Sequence, residues 1–343
     1  MDFWHKLKKP IFVLAPMANV TDAAFRRMIA KHGKPDVIWT EFVSADGLIS
    51  PGRKNLLHDL EFTEKERPIV AQLFTGHPEA MKKAARLAAK LGFDGIDINM
   101  GCPDRAVEKQ GGGAALAKQE NRQAAVAVIE AAREGVRSKE EGGGSKEKGV
   151  RRREEGVRRK EVPVSVKTRL GYNKIDMDWI KLLLEQDLPV LTIHMRTRRE
   201  MSDVPAHWEL MPEIIRLRDE IAPDTLIFGN GDVASMEQAS ELCARYGCDG
   251  VMIGRGIFGK PWFFDRRAGE KAPEERLKIM VEHAKLFDKL FCGRKRLKSF
   301  DVMKKHFKAY VSGWDGAKEM RMKLMEADDS RDVADIVKDY LRL

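Results

Sequence analysis

The chain has 343 residues, 43% of them apolar, and carries a formal charge of +9. That length fits one large domain plus a small one, and no apolar run is long enough to span a bilayer. Four scattered cysteines, at 102, 243, 248 and 292, argue against a disulfide framework and for a reducing cytoplasm. The opening segment, Met1 to Pro10, has no long apolar stretch and does not read as a secretory signal. The excess of cations suggests a polyanionic partner such as nucleic acid, although a basic enzyme without one would carry the same charge.

Short β-rich runs recur along the first three quarters of the chain. They are Ile11–Ala15, Val37–Phe42, Ile69–Phe74, Gly95–Asn99, Val164–Thr168, Val190–His194, Leu226–Gly229 and Gly250–Gly254. Most are continuously apolar, as parallel strands covered on both faces should be. Helical patterns such as Ala80–Leu91 and Met236–Tyr246 lie between them. Eight strands alternating with helices over roughly 250 residues predict a (β/α)8 TIM barrel. The rival, a doubly wound open sheet, lacks its Gly-rich first turn, because Ala15-Pro16-Met17-Ala18-Asn19 stands there instead.

Residues 134–161 break the rhythm. They are dominated by Lys, Arg, Glu and Gly and offer almost nothing to bury, so they are expected to form a solvated surface insertion. A barrel catalytic domain is therefore predicted over 1–268, followed by an all-helical bundle over 269–343. Three stripes support the bundle: Leu277, Met280, Val281, Ala284 and Phe287; Phe300, Met303, Phe307, Tyr310 and Val311; and Val333, Ile336, Val337, Tyr340 and Leu341, with Ser330 as N-cap. Its second helix is expected to carry a cationic cluster of Lys289, Arg294, Lys295, Arg296, Lys298, Lys304, Lys305 and Lys308, suited to phosphate oxygens.

Residues at the carboxyl ends of barrel strands face the site. They include Pro16, Met17 and Ala18, then Gln72, then Asn99 and Cys102. Lys167 and Arg169 follow at alternate positions, then His194 and Arg196. The last two loops read Gly229-Asn230-Gly231-Asp232 and Gly254-Arg255-Gly256. Loops at those two places commonly build a phosphate site, with glycines letting backbone N–H groups approach and Arg255 adding charge. The implied ligand is a phosphorylated cofactor with a flat ring across the barrel mouth. A flavin suits the lining, with Gln72 at its polar edge and Lys167 near developing negative charge. Taken without its flanking residues, His194 reads more commonly as a satisfied core histidine. Zinc fits poorly, since His194 and Cys102 lack neighbours at ligand spacing; Cys243 and Cys248 read as structural.

With these motifs in order, the chain resembles the tRNA-dihydrouridine synthases. The resemblance rests on Ala15-Pro16-Met17, Asn99-Met100-Gly101-Cys102-Pro103, Val166-Lys167-Thr168-Arg169-Leu170-Gly171, His194-Met195-Arg196-Thr197-Arg198, Gly229-Asn230-Gly231-Asp232 and Gly254-Arg255-Gly256. Met195 and the segment from Met201 to Pro205 depart from the family pattern. The resemblance implies bound FMN, NADPH as reductant and a uridine in tRNA as substrate. It also implies FMN contacts from Pro16, Met17, Ala18, Gln72, Lys167, His194, Asn230, Gly231, Asp232, Gly254 and Arg255. It assigns Cys102 as proton donor and Asn99 and Arg169 as uracil or phosphate contacts. Arg196, Lys304, Lys305 and Lys308 are added as candidate substrate contacts.

The mechanism expected from this resemblance sends hydride from reduced FMN to uracil C6 while Cys102 protonates C5. A thiol acting as an acid must keep its proton. A flavin barrel acting on a free pyrimidine is the nearest rival, and a cationic tail would serve it no purpose. Nothing in the sequence demands more than a monomer.

Overall fold

Eight parallel strands close on one another in sequence order in the computed structural model, which describes residues 2–137, 162–293 and 297–342. They are β1 (Ile11–Leu14), β2 (Val37–Ser44), β3 (Ile69–Phe74), β4 (Gly95–Met100), β5 (Val164–Arg169), β6 (Val190–His194), β7 (Leu226–Asn230) and β8 (Gly250–Ile253). Strand β1 pairs with β8, with Ile11 beside Gly250, so the barrel has no free edge. Helices wrap the outside: α1 (Ala23–His32), α2 (Ala45–Ile49), α3 (Pro78–Leu91), α4 (Arg105–Lys109), α5 (Arg122–Arg137), α6 (Met177–Leu184), α7 (Met211–Ile221) and α8 (Met236–Tyr246).

The barrel interior is filled rather than hollow. Val13, Trp39, Val70, Val190, Leu226, Phe228 and Met252 pack inside it, and the chain start closes the end opposite the site. Trp4 is buried there, with its ring 5.6 Å from Trp39 and 5.8 Å from Phe228. The opening segment thus plugs the barrel floor, a role its short, aperiodic sequence did not announce.

Beyond the barrel lie α9 (Pro273–Phe287), a π-helical turn (Asp288–Cys292), α10 (Val302–Tyr310), α11 (Ala317–Met325) and α12 (Ser330–Tyr340). The predicted stripes are largely buried; Leu341 is the exception, exposed past the end of α12. The bundle docks on α1, where Phe25 stacks near His283 and His306 at 5.1 and 4.9 Å.

Three expectations are corrected. Residues 134–137 belong to the last turn of α5, where Val136 packs on the core; the remainder of the charged segment lies outside the described residues. Asp329, not Ser330, caps α12, accepting from the backbone N–H groups of Arg331 and Asp332; the Ser330 hydroxyl instead donates to Asp288. The cationic cluster does not share one helix. Lys289 lies in the π-helical turn, Lys298 in the next loop, and Lys304, Lys305 and Lys308 on α10; Arg294, Lys295 and Arg296 lie outside the described residues. Loss of the cap is testable. Asp329→Ala should destabilise the tail by about 1 kcal/mol, read as faster amide exchange confined to the first turn of α12.

Candidate active site

The barrel mouth opens into a cavity of about 670 Å3. Seven strand ends and their loops contribute to it: Pro16 and Met17; Phe42; Asn99, Cys102 and Pro103; Lys167 and Arg169; His194 and Ser202; Asn230 to Ala234; and Gly254 to Gly256. Three of the candidates in the barrel are not on its wall. Ala18 is exposed beside it, whereas Gln72 and Arg196 are buried behind it.

Parallel register explains how the Cys102 loop is held. Residues 95, 97 and 99 share one face of β4, and Gln72 of β3 pairs with Asp97. Gln72 donates from Nε2 to Asp97 at 2.6 Å, and its Oε1 accepts from Asn99 Nδ2 at 2.9 Å. Asn99 Oδ1 then accepts the backbone N–H groups of Gly101 and Cys102, at 3.0 and 2.9 Å. Gln72 therefore has both amide ends committed within the protein, and Asn99 shapes the turn that presents the thiol. Asp97 anchors this chain. It also accepts from Ser165 Oγ at 2.6 Å, and burial raises its carboxyl to about 6 against those bonds and nearby Lys167. An acid in the middle of the apolar run Gly95-Ile96-Asp97-Ile98 was the signal for it.

A second brace comes from Arg169. Its Nε donates to Gly101 O at 2.8 Å, and its Nη1 donates to Thr197 O and Met201 O at 3.1 and 3.0 Å. One guanidinium therefore joins the loops after β4 and β6. Gly113 closes against the same turn with φ +59; a Cβ there would sit 2.7 Å from Cys102 O.

The electrostatics separate the groups. Burial pushes the Cys102 thiol up, against the Asp104 backbone N–H and the Arg169 and Lys167 cations, so it holds its proton at neutral pH. Burial and Arg169 lower Lys167 to about 8 despite the opposing pull of Asp97. His194 falls well below the usual imidazole value through burial, then through Arg169, Lys167, Arg196 and Arg255. The mouth is thus a cationic well holding a neutral imidazole and a protonated thiol. Among the described residues no cluster of three or more His, Cys, Asp or Glu is placed to hold a metal ion. Cys243 and Cys248 are buried with their sulfurs 3.7 Å apart, away from this cavity.

Asp232 organises the last loops. It accepts from Arg196 Nη2 and the Ala206 N–H through Oδ2, and from Arg255 Nη2 at 3.1 Å through Oδ1. Arg196 Nη1 lies 3.2 Å from His194 Nε2. Sequence reasoning passed over Phe42 and Ser202 on the cavity wall, although Phe42 stands at the expected end of β2, which runs on to Ser44.

In the tail, Lys305 and Lys308 are exposed and Lys304 is paired with Asp301 at 2.6 Å. Lys298 turns inward. It lies 2.6 Å from Glu41 and 3.0 Å from Asp59 at 9% exposure, and so is not a surface phosphate contact.

Fold and site together define a (β/α)8 barrel with a thiol and a cationic well at its mouth. The chain matches the family model described as dihydrouridine synthase over residues 13–139 and 151–342, and it belongs to that family. It is 39% identical over 344 residues to a probable tRNA-dihydrouridine synthase 2 of Bacillus subtilis strain 168, covering 99% of this chain and 97% of that one. It is 41% identical over 327 residues to a probable tRNA-dihydrouridine synthase of Staphylococcus aureus strain COL, covering 94% and 91%. Among solved structures, a 2-naphthoyl-CoA reductase complex shares the barrel at TM-score 0.53 and 10% identity, over 75% of this chain and 49% of that one.

Proposed function

We propose that this chain reduces uridines of tRNA to dihydrouridine, with FMN held in the mouth cavity and NADPH as its reductant. The residues present fit such a group. The cavity pairs a cationic half, with Lys167 and Arg169, with the glycine-bearing loops after β7 and β8, the second of which carries Arg255. Asn230, Gly231, Gly254 and Arg255 would hold the phosphate, with Asp232 steering Arg255. Pro16, Met17, Lys167 and His194 would line the ring. Gln72 acts from below, through Asp97 and Asn99. Reduced flavin supplies a hydride equivalent when bound.

The chain's own residues do the rest. Cys102 holds a proton at Sγ and delivers it to uracil C5. Asn99 and Arg169 fix the turn that aims the sulfur, and positioning of this kind supplies much of an enzyme's acceleration. A uridine must leave the folded tRNA to enter the mouth. Lys305 and Lys308, on the appended helices, would attract phosphate and hold the molecule while it does. The reading places the enzyme in the cytoplasm, beside its substrate.

One observation carries this reading: Cys102 shares a cavity wall with Lys167 and Arg169 and with the glycine loops after β7 and β8. The purified protein should show flavin absorbance. With NADPH it should convert unmodified tRNA to a form whose digested nucleosides include dihydrouridine by mass. Flavin-free protein, or flavin-loaded protein that leaves tRNA unchanged, would overturn it.

A further inference from the structure

Arg196 looks from sequence like a substrate contact, and its geometry gives it another task. Its side chain is 2% exposed and is not part of the cavity wall. All three of its nitrogens are engaged: Nε donates to Val204 O at 2.6 Å, Nη2 donates to Asp232, and Nη1 lies 3.2 Å from His194 Nε2. A guanidinium has donors only. The His194 nitrogen facing it must therefore offer a lone pair, which leaves the ring proton on Nδ1. His194 itself lines the cavity.

We infer that Arg196 is a positioning residue that fixes His194 as the neutral Nδ1–H tautomer, so that the mouth presents a hydrogen-bond donor to an acceptor-only group of its ligand. A carbonyl oxygen, a phosphate oxygen or an unprotonated ring nitrogen meets that requirement; an N–H does not. Identifying the ligand as a flavin rests on the proposed function, whereas the tautomer does not.

The arrangement resists protonation from every side. Lys167 and Arg169 reach His194 from β5, Arg196 from its own loop and Arg255 from the loop after β8. Asp232, the carboxylate that meets Arg196, is already taken up by Arg196, Arg255 and the Ala206 N–H. Asp232 therefore aims Arg196 without giving the imidazole an anionic partner of its own. The chain Arg255–Asp232–Arg196–His194 crosses three loops, so the same carboxylate that steers the phosphate-side arginine sets the donor on the ring side.

The experiment is long-range proton–nitrogen NMR on the full chain labelled in histidine, without ligand, with the His194 signals assigned by their loss in His194→Asn. Wild-type protein should show the Nδ1–H tautomer and stay neutral at about pH 5.5, one unit below the ordinary imidazole value. An Nε2–H tautomer, or titration near the ordinary value, overturns the inference in the wild type alone, with no variant needed. Arg196→Met should mix the two tautomers and raise the titration, and it should weaken FMN binding about tenfold or more. Arg196→Lys, which keeps the charge but loses the fork, should leave His194 neutral while still mixing tautomers. Scrambled tautomers with unchanged FMN affinity would overturn the role toward the ligand. Wild type that shows the assigned tautomer but binds no FMN would instead sink the cofactor in the proposed function.

Discussion

Cys102→Ala should fold, bind flavin and lose about 10²–10⁴ of its turnover on tRNA, the usual contribution of a positioned general acid. The backbone of Cys102, not its sulfur, holds the loop: its N–H donates to Asn99 Oδ1 at 2.9 Å, and its carbonyl accepts from the Ala114 N–H at 2.9 Å. Replacing the thiol by a methyl leaves both bonds in place. The residues that would hold the phosphate lie across the mouth, on the loops after β7 and β8. The loss corresponds to about 3–5 kcal/mol on the barrier. It should appear in a single turnover with pre-reduced enzyme, while reduction of the flavin by NADPH proceeds unchanged. Near-normal dihydrouridine formation in that assay would remove Cys102 from the reaction. Wild-type turnover should have no thiol-dependent fall through the neutral range, because burial holds this sulfur in its protonated form there. If activity instead fell as pH rose from 6 to 7, below the Lys167 value of about 8, the acid would be a different group.

The strands were legible because burial on both faces leaves continuous apolar runs, and each observed end lies within two residues of its expected place. The cavity wall was legible for the same reason. Once strand ends are known, alternation and barrel geometry name the residues that face the mouth. Gln72, Asn99 and Arg196 show where that reasoning stops. A side chain aimed at the mouth can be consumed by a neighbour, and the neighbour is set by register between strands rather than by local sequence. Gln72 meets Asp97 because β3 and β4 pair at those two residues. Arg196 meets Asp232 across 36 positions of chain. Ser330 and Asp329 are both good caps, and only the approach of Asp288 decides which of them turns away.

Lys298 is the largest departure from the sequence reading, and its removal should have the largest effect on stability. In a run of cations it looked like one more phosphate contact. Its partners lie far away in the chain, Glu41 being 257 positions distant. Around its ammonium stand Glu41 and Asp59, with Asp22 in electrostatic reach, and Phe291 lies 5.3 Å from it. Lys298→Met keeps the stem and deletes the charge, leaving buried Glu41 without the cation it pairs with, while Asp22 keeps Arg26 in electrostatic reach and Asp59 keeps His58. Breaking a buried pair in this way typically costs about 3–5 kcal/mol, a large part of an ordinary domain's stability. Glu41 already sits at about 6, raised by burial and by Asp22 and Asp59 against the pull of Lys298; without the lysine it rises further. A carboxyl raised above its unfolded value binds protons more tightly in the folded state, so stability recovers as pH falls through the folded value. The variant's deficit in urea midpoint should therefore narrow as pH falls through the variant's raised Glu41 value toward about 6, where the wild-type carboxyl begins to take up its own proton, and adding Glu41→Gln should restore part of it at neutral pH. The effect should also reach the mouth, since Glu41 accepts the N–H of Asn19 beside Met17 and Ala18, so FMN should dissociate faster. The salt dependence of tRNA binding should stay as in wild type for Lys298→Met, whereas Lys305→Ala and Lys308→Ala should each lower its slope by about one. A Lys298→Met protein of normal stability with a reduced slope would return this lysine to the RNA surface.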